Sequence, residues 1–160
     1  MKKAIVFTFT SAILLTALAA LLLVSCGPEK SAPDFSTADV LTKIAENVSL
    51  PEETVTLGAG DLLDYYGIAA EKIAEVTAVQ DACGYKDEIV IVKAVDEAAA
   101  GEIAALLSGH IEYQKESMRS YDAAQYDILC SSRVITNGNY TAMFISAAQR
   151  TMEEIFQSFF

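Results

Sequence analysis

Four β-branched residues in a row, Ile89-Val90-Ile91-Val92, limit what this chain can fold into more than any other stretch. A strand with one wet face alternates apolar and polar residues, whereas a continuous apolar run is buried on both faces. Asp87 to Ala94 is therefore expected to be a central strand, and a sheet must assemble around it. Ile73 to Gln80, with Val76 and Val79, predicts a strand just before it. The turn between them, Asp81 to Lys86 with Gly84, is short, so the two should pair antiparallel.

Helical periodicity accounts for most of the remaining chain. Ser36-Thr37-Ala38-Asp39 fits a capping box, and Val40, Leu41, Ile44 and Ala45 follow at helical spacing to about Asn47, before Pro51 breaks the pattern. A short helix fits Asp61 to Tyr66, with Gly67 as its C-terminal cap. Asp96 can cap a long helix to about Met118, whose stripe is Ile103, Leu107, Ile111 and Met118, broadened by Leu106 and Tyr113. Gly101 and Gly109 weaken that helix and are expected to let another element approach closely. A shorter helix fits Ala123 to Leu129. Asn137-Gly138 between Val134-Ile135-Thr136 and Asn139–Ser146 predicts a two-residue hairpin loop that sets Ile135 opposite Tyr140. A second capping box, Ser146-Ala147-Ala148-Gln149, opens a last helix carrying Met152, Ile155, Phe156 and Phe159. The class is α+β: an antiparallel sheet of about four strands with helices packed mainly on one face.

The beginning of the chain gives an address. Lys2 and Lys3 precede an apolar run from Ala4 to Leu23, which ends in Leu23-Val24-Ser25-Cys26. A positive start, an apolar centre and a small residue before the cut describe an export signal. The ending resembles the lipobox of bacterial lipoproteins, which implies that Cys26 receives a diacylglyceryl group and acyl chains of the palmitate kind. The other reading of the run is a membrane-spanning helix; with the lysines retained inside, it too puts the rest of the chain on the extracytoplasmic face of a cell membrane. The expected organisation is a signal peptide over 1–25, a lipidated tether over 26–35 with Pro28 and Pro33, and a single domain over 36–160. Without the signal, nine basic residues face 22 acidic ones, a formal charge of −13. Such a surface repels nucleic acid, and its membrane contact is expected through the lipid anchor alone. Two cysteines remain, Cys83 and Cys130, which either form a disulfide or stay as two thiols.

Several pieces together carry a family likeness: the lipobox, Tyr65-Tyr66-Gly67-Ile68, the Asp87–Ala94 strand, a helix running into Arg119 and Tyr121, and Gly138-Asn139-Tyr140. On these, residues 36 to 160 resemble the bacterial lipoproteins catalogued as domain of unknown function 4358. The resemblance implies the fold and a place outside a membrane, and supplies no activity. The family pattern has a proline soon after the tyrosine at 121. Asp122-Ala123 stands there in this chain, which bears on how that turn is set.

Chemistry is sparse. His110 is the single histidine, at the edge of the long helix's apolar stripe, and no partner stands at the spacing of a hydrolase or metalloprotease motif. It reads as a partly exposed boundary residue. Glu52-Glu53, Asp61 with Asp64, and Asp87-Glu88 are what an acidic surface produces, and no calcium-loop pattern occurs. Gly58-Ala59-Gly60 is too short to cradle phosphate. No catalytic residue, metal or cofactor is assigned. Arg119 with Tyr113, Tyr121 and Tyr126 has the composition that binding hot spots favour; the other reading packs these tyrosines at the helix-to-hairpin junction and pairs Arg119 with an acidic neighbour. The leading expectation is a tethered module that binds a protein or wall component of the cell envelope. The alternative is an envelope hydrolase working through two carboxylates across a cleft.

Overall fold

Glu88 to Val92 are all buried, so the apolar run does form the covered centre of a sheet. The computed structural model describes residues 33–82 and 86–160. Its elements are α1 (Thr37–Asn47), β1 (Thr54–Leu57), α2 (Ala59–Tyr66), a 3-10 turn (Ala70–Lys72), β2 (Ile73–Asp81), β3 (Glu88–Ala94), α3 (Glu97–Met118), α4 (Ala123–Ser131), β4 (Val134–Asn137), β5 (Tyr140–Ile145) and α5 (Gln149–Gln157). The sheet is antiparallel throughout, in the order β1-β2-β3-β5-β4. This is an α+β fold.

Strand parity divides the core. Val90, Val92 and Ala94 face a layer that includes Leu62 and Tyr66 of α2, Ala100, Ile103, Leu107 and Ile111 of α3, and Leu129 of α4. Ile89 and Ile91 face the other side, where Val40 and Ile44 of α1 and Met152 and Phe156 of α5 cover them. Three helices, the 22-residue α3 among them, lie on the first face, and two cover the second. The sheet also has one strand more than expected. β1 has only Leu57 buried among its four residues, so it carries no periodic signal to read.

Three local expectations are corrected. The hairpin loop is Gly138-Asn139, one residue later than expected, and Ile135 stands opposite Ala142 while Tyr140 pairs with Asn137. Within the loop, positive φ occurs at Gly138 (57°) and not at Asn139, the pattern of a type II′ turn, which needs glycine only at its first loop position. Asn139 is drawn into the loop because both its polar groups are used on Ala94: its carbonyl accepts the Ala94 N–H at 2.8 Å and its Nδ2 donates to the Ala94 carbonyl at 3.1 Å. The second capping box does not form: α5 starts at Gln149 behind Ala148, and the Gln149 side chain instead accepts from Ser132 Oγ at 2.8 Å. Finally, a Cβ placed on Gly101 or Gly109 would meet no atom within 4 Å, so neither glycine admits a neighbouring element. Both are exposed and lie inside α3.

The N-terminal end of the domain is fixed to the sheet by Glu75 of β2. Its Oε1 accepts from Ser36 Oγ (2.6 Å), the Thr37 N–H (2.9 Å) and Thr37 Oγ1 (3.0 Å), while Ser36 Oγ caps α1 by accepting from the Ala38 N–H. The Ser36 hydroxyl foremost, then the Thr37 groups, hold the Glu75 carboxyl below the usual carboxylate range against the opposing effect of burial. One residue earlier, Phe35 is already packed, stacked on Tyr140 with ring centroids 4.2 Å apart and touching Phe159 and Phe160.

Gly101→Ala and Gly109→Ala should each stabilise the domain by up to about 1 kcal/mol, read as a rise in thermal midpoint; a drop at either site would mean that the helix surface there is occupied. Glu75→Gln should cost about 1 kcal/mol at neutral pH, the usual worth of a charged group on a helix N-terminus. Because the folded carboxyl titrates lower than the unfolded one, its contribution is present above the unfolded value and is lost as pH falls through the folded one. Urea melts of the two chains should therefore converge in acid.

Candidate functional site

Two polar constellations stand out from the rest of the structure. The first lies inside the α2–α3 layer. Glu88 has the same parity as Val90 and Val92, which turns its carboxylate into the core, where it is 3% exposed. Tyr66 Oη donates to Glu88 Oε2 at 3.1 Å, His110 Nε2 lies 2.9 Å from the same oxygen, and Gln114 Nε2 donates to Oε1. The His110 ring also sits edge-on to Tyr66 at 4.7 Å. Burial, and then the Glu88 charge, push the Tyr66 phenol far above its ordinary value, so it remains a hydrogen-bond donor.

This cluster pairs the one histidine with a carboxylate, a partnership that sequence spacing did not reveal. Glu88 is also not the surface acid that Asp87-Glu88 suggested. Two signals were available: Glu88 shares parity with Val90 and Val92, and His110 and Gln114 continue the stripe from Ile103 and Leu107 at helical spacing. The groups satisfy one another, and among the described residues no buried side-chain nitrogen or oxygen lacks a partner. The arrangement is that of a buried hydrogen-bond network around one carboxylate. Removing its acceptor strands three donors, so Glu88→Ala should cost about 3 kcal/mol in a denaturant melt. A loss within a few tenths of that of a surface Glu→Ala control would show that the carboxylate is solvated.

The second constellation is concave. A groove of about 1050 Å³ runs between β4 and α5, lined by Val134, Ile135 and Thr136 on one side and by Gln149, Arg150, Glu153, Glu154 and Gln157 on the other. It exists because of uneven cover: α5 packs on β5, where Phe156 meets Phe144, and no described helix lies over β4 on that face. Ion pairs hold its wall. Arg133 reaches Glu153, which is buried, and Arg150 Nε lies 3.3 Å from Glu154 Oε1. β4 is also an edge strand, with no strand on its outer side among the described residues. In a two-residue hairpin the closing pair exchanges both hydrogen bonds and the pattern alternates. Asn137 and Ile135 thus bond inward to β5, and the N–H and C=O groups of Val134 and Thr136 point outward.

The residues singled out in the sequence lie elsewhere. Tyr113 and Tyr121 are 73% and 79% exposed, Tyr126 is half-buried, and Arg119 pairs with Glu116 one turn back at 3.3 Å. No ring contact joins the three tyrosines among the described residues. The turn after Tyr121 is set by Asp122, whose Oδ1 accepts the Ala124 and Gln125 N–H groups at 3.0 Å and caps α4 in place of a proline. Cys130, in the last turn of α4, is exposed and has no disulfide partner among the described residues. Cys26 and Cys83, with the signal and most of the tether, lie outside the described residues. Among the described residues no three His, Cys, Asp or Glu side chains gather as a metal site, and no helix is long and apolar enough to cross a membrane.

Neither a curated protein nor a solved structure matches the chain. A family model does, over residues 46–146, from the end of α1 to the residue after β5, so that the whole five-stranded sheet lies within the match. The chain belongs to the family described as Domain of unknown function (DUF4358).

Proposed function

We propose that this chain is a lipid-anchored, extracytoplasmic interaction module that docks a protein partner on the free edge of β4. The observation that carries the reading is the coincidence of that edge with the groove beside it. An open edge is a template of main-chain donors and acceptors, and a neighbouring trough gives room for the incoming strand's side chains. The lining residues include no histidine and no cysteine, and its two carboxylates stand side by side on one helix, each held by an arginine. A glycan hydrolase instead needs two carboxylates facing each other across the substrate. The anchor at Cys26 supports the reading from the sequence side. The chain from Cys26 to Phe35 reaches at most about 30 Å, which confines the partner to the neighbourhood of the membrane face.

A photo-crosslinking residue at Gln157, in the groove, should give protein adducts in intact cells, whereas one at the exposed Glu97 should not. Equal yields from both sites would remove the groove from consideration. In the same cells Cys26→Ser should abolish acyl labelling and release the chain from the membrane fraction; continued membrane association would overturn the anchor.

A further inference from the structure

We infer that the strand received by the β4 edge is β4 of a second copy of this chain, so that two sheets join across a two-fold axis into one. This rests on the groove being a docking surface and adds the identity of the occupant.

Three observations converge on a second copy. The first is charge. The chain carries a net −11, and two such surfaces repel each other wherever acid dominates. The groove is different: Arg133 and Arg150 balance Glu153 and Glu154, leaving no net charge. A patch holding equal numbers of both signs is complementary to itself when turned about a two-fold, which is what an isologous contact requires.

The second is register. Val134 and Thr136 are the two residues of β4 whose backbone groups face outward, and antiparallel pairing joins outward residues to outward residues. Val134 opposite Thr136 of the second copy, and the reverse, uses all four groups on each side and puts the axis at Ile135. Ile135 then meets its own counterpart as a non-hydrogen-bonded pair, with Cα atoms about 4.5 Å apart. Its side chain is half-buried on the groove face, against Ala142 and the α5 layer, and the counterpart completes its cover.

The third is space. α5 sits over β5, so two copies of α5 would be separated by three strand spacings, about 14 Å. A helix with its side chains is roughly 10–12 Å across. The paired grooves therefore close to a gap that long side chains such as Arg150, Glu154 and Gln157 can bridge, each arginine reaching the glutamate of the opposite helix.

The test uses the full chain in intact cells. Ile135→Cys places thiols at the axis, within the Cα range of a disulfide. Mild oxidation should give a covalent species of twice the chain mass, well above the background that Cys83 and Cys130 set in the unsubstituted chain. Adding Thr136→Pro removes an outward N–H without touching the β4–β5 ladder and should return the yield to background. In case that strand fails to form, Arg150→Glu on the exposed face of α5 tips the groove to net acid, and should cut the yield about tenfold by like-charge repulsion across the axis. A yield from Ile135→Cys no higher than background, in a chain whose melting is unchanged, overturns the inference. A crosslink from Ile135→Cys to a different chain also overturns it, while leaving the docking reading of the groove intact.

Discussion

Burial of β3 on both faces is the constraint from which the other elements take their places. Ile89 and Ile91 are covered by the α1–α5 layer, Val90 and Val92 by the α2–α3–α4 layer, and all four are 2% exposed or less. At about 25 cal/mol per Å² of apolar surface removed from water, a fully buried Val or Ile is worth roughly 1.5–3 kcal/mol. A layer of helices must therefore cover each side. The neighbours of β3 are limited in the same way. β2 and β5 flank it, and each needs enough apolar surface to belong to the interior. β5 is buried at every position, β2 is mostly half-buried with Ala78 alone fully buried, and the edge strands β1 and β4 are looser still.

The Glu88 network follows from the same parity. A carboxylate whose neighbours two and four residues on are core valines has to enter the core, and taking it out of water costs several kcal/mol unless its lone pairs are filled. Tyr66, His110 and Gln114 supply donors from two helices, which ties α2 and α3 to one end of β3. Replacing such a network with apolar residues often stabilises a protein, so stability alone does not account for it. What the network does is discriminate. A one-residue slip of β3 would bring Asp87 or Ile89 to the three donors: the shorter acid stops short of them, and isoleucine accepts nothing. The apolar run by itself cannot make that distinction, because every residue in it is isoleucine or valine.

This also explains which parts of the fold were legible in the sequence. Periodicity placed the long helix, the central strand and its neighbour because those elements bury a regular side. Gly67, in the left-handed conformation at φ 72°, ended α2 as expected. The hairpin was located correctly, yet its loop lies one residue on, because Asn139 gains two backbone partners on Ala94 that only the folded sheet supplies. Since the register changes by two, Ile135 keeps its face. β1 was invisible because three of its four residues face water. The groove was invisible for a different reason. It is produced by a helix that is not over β4, and no local pattern records where another element fails to reach. Tyr113 and Tyr121 drew attention by composition and are indeed exposed, but composition cannot say whether exposed rings adjoin.

The two edges of the sheet are not equivalent, and the difference favours β4 as the open one. β1 is preceded by Pro51, Glu52 and Glu53. A proline and paired acids beside an exposed edge are common means of discouraging further pairing, more so on a chain whose net charge already opposes association. β4 has neither. It is entered through Arg133, whose charge is neutralised by Glu153, and left through a tight turn held to β3, so its outward backbone groups sit on a rigid strand without a repelling side chain in front of them. A strand this short would be a weak template alone. With four outward groups, a half-covered isoleucine at its centre and a charge-balanced helix alongside, it has the hydrogen bonds, the apolar contact and the electrostatic neutrality that pairing requires in one place.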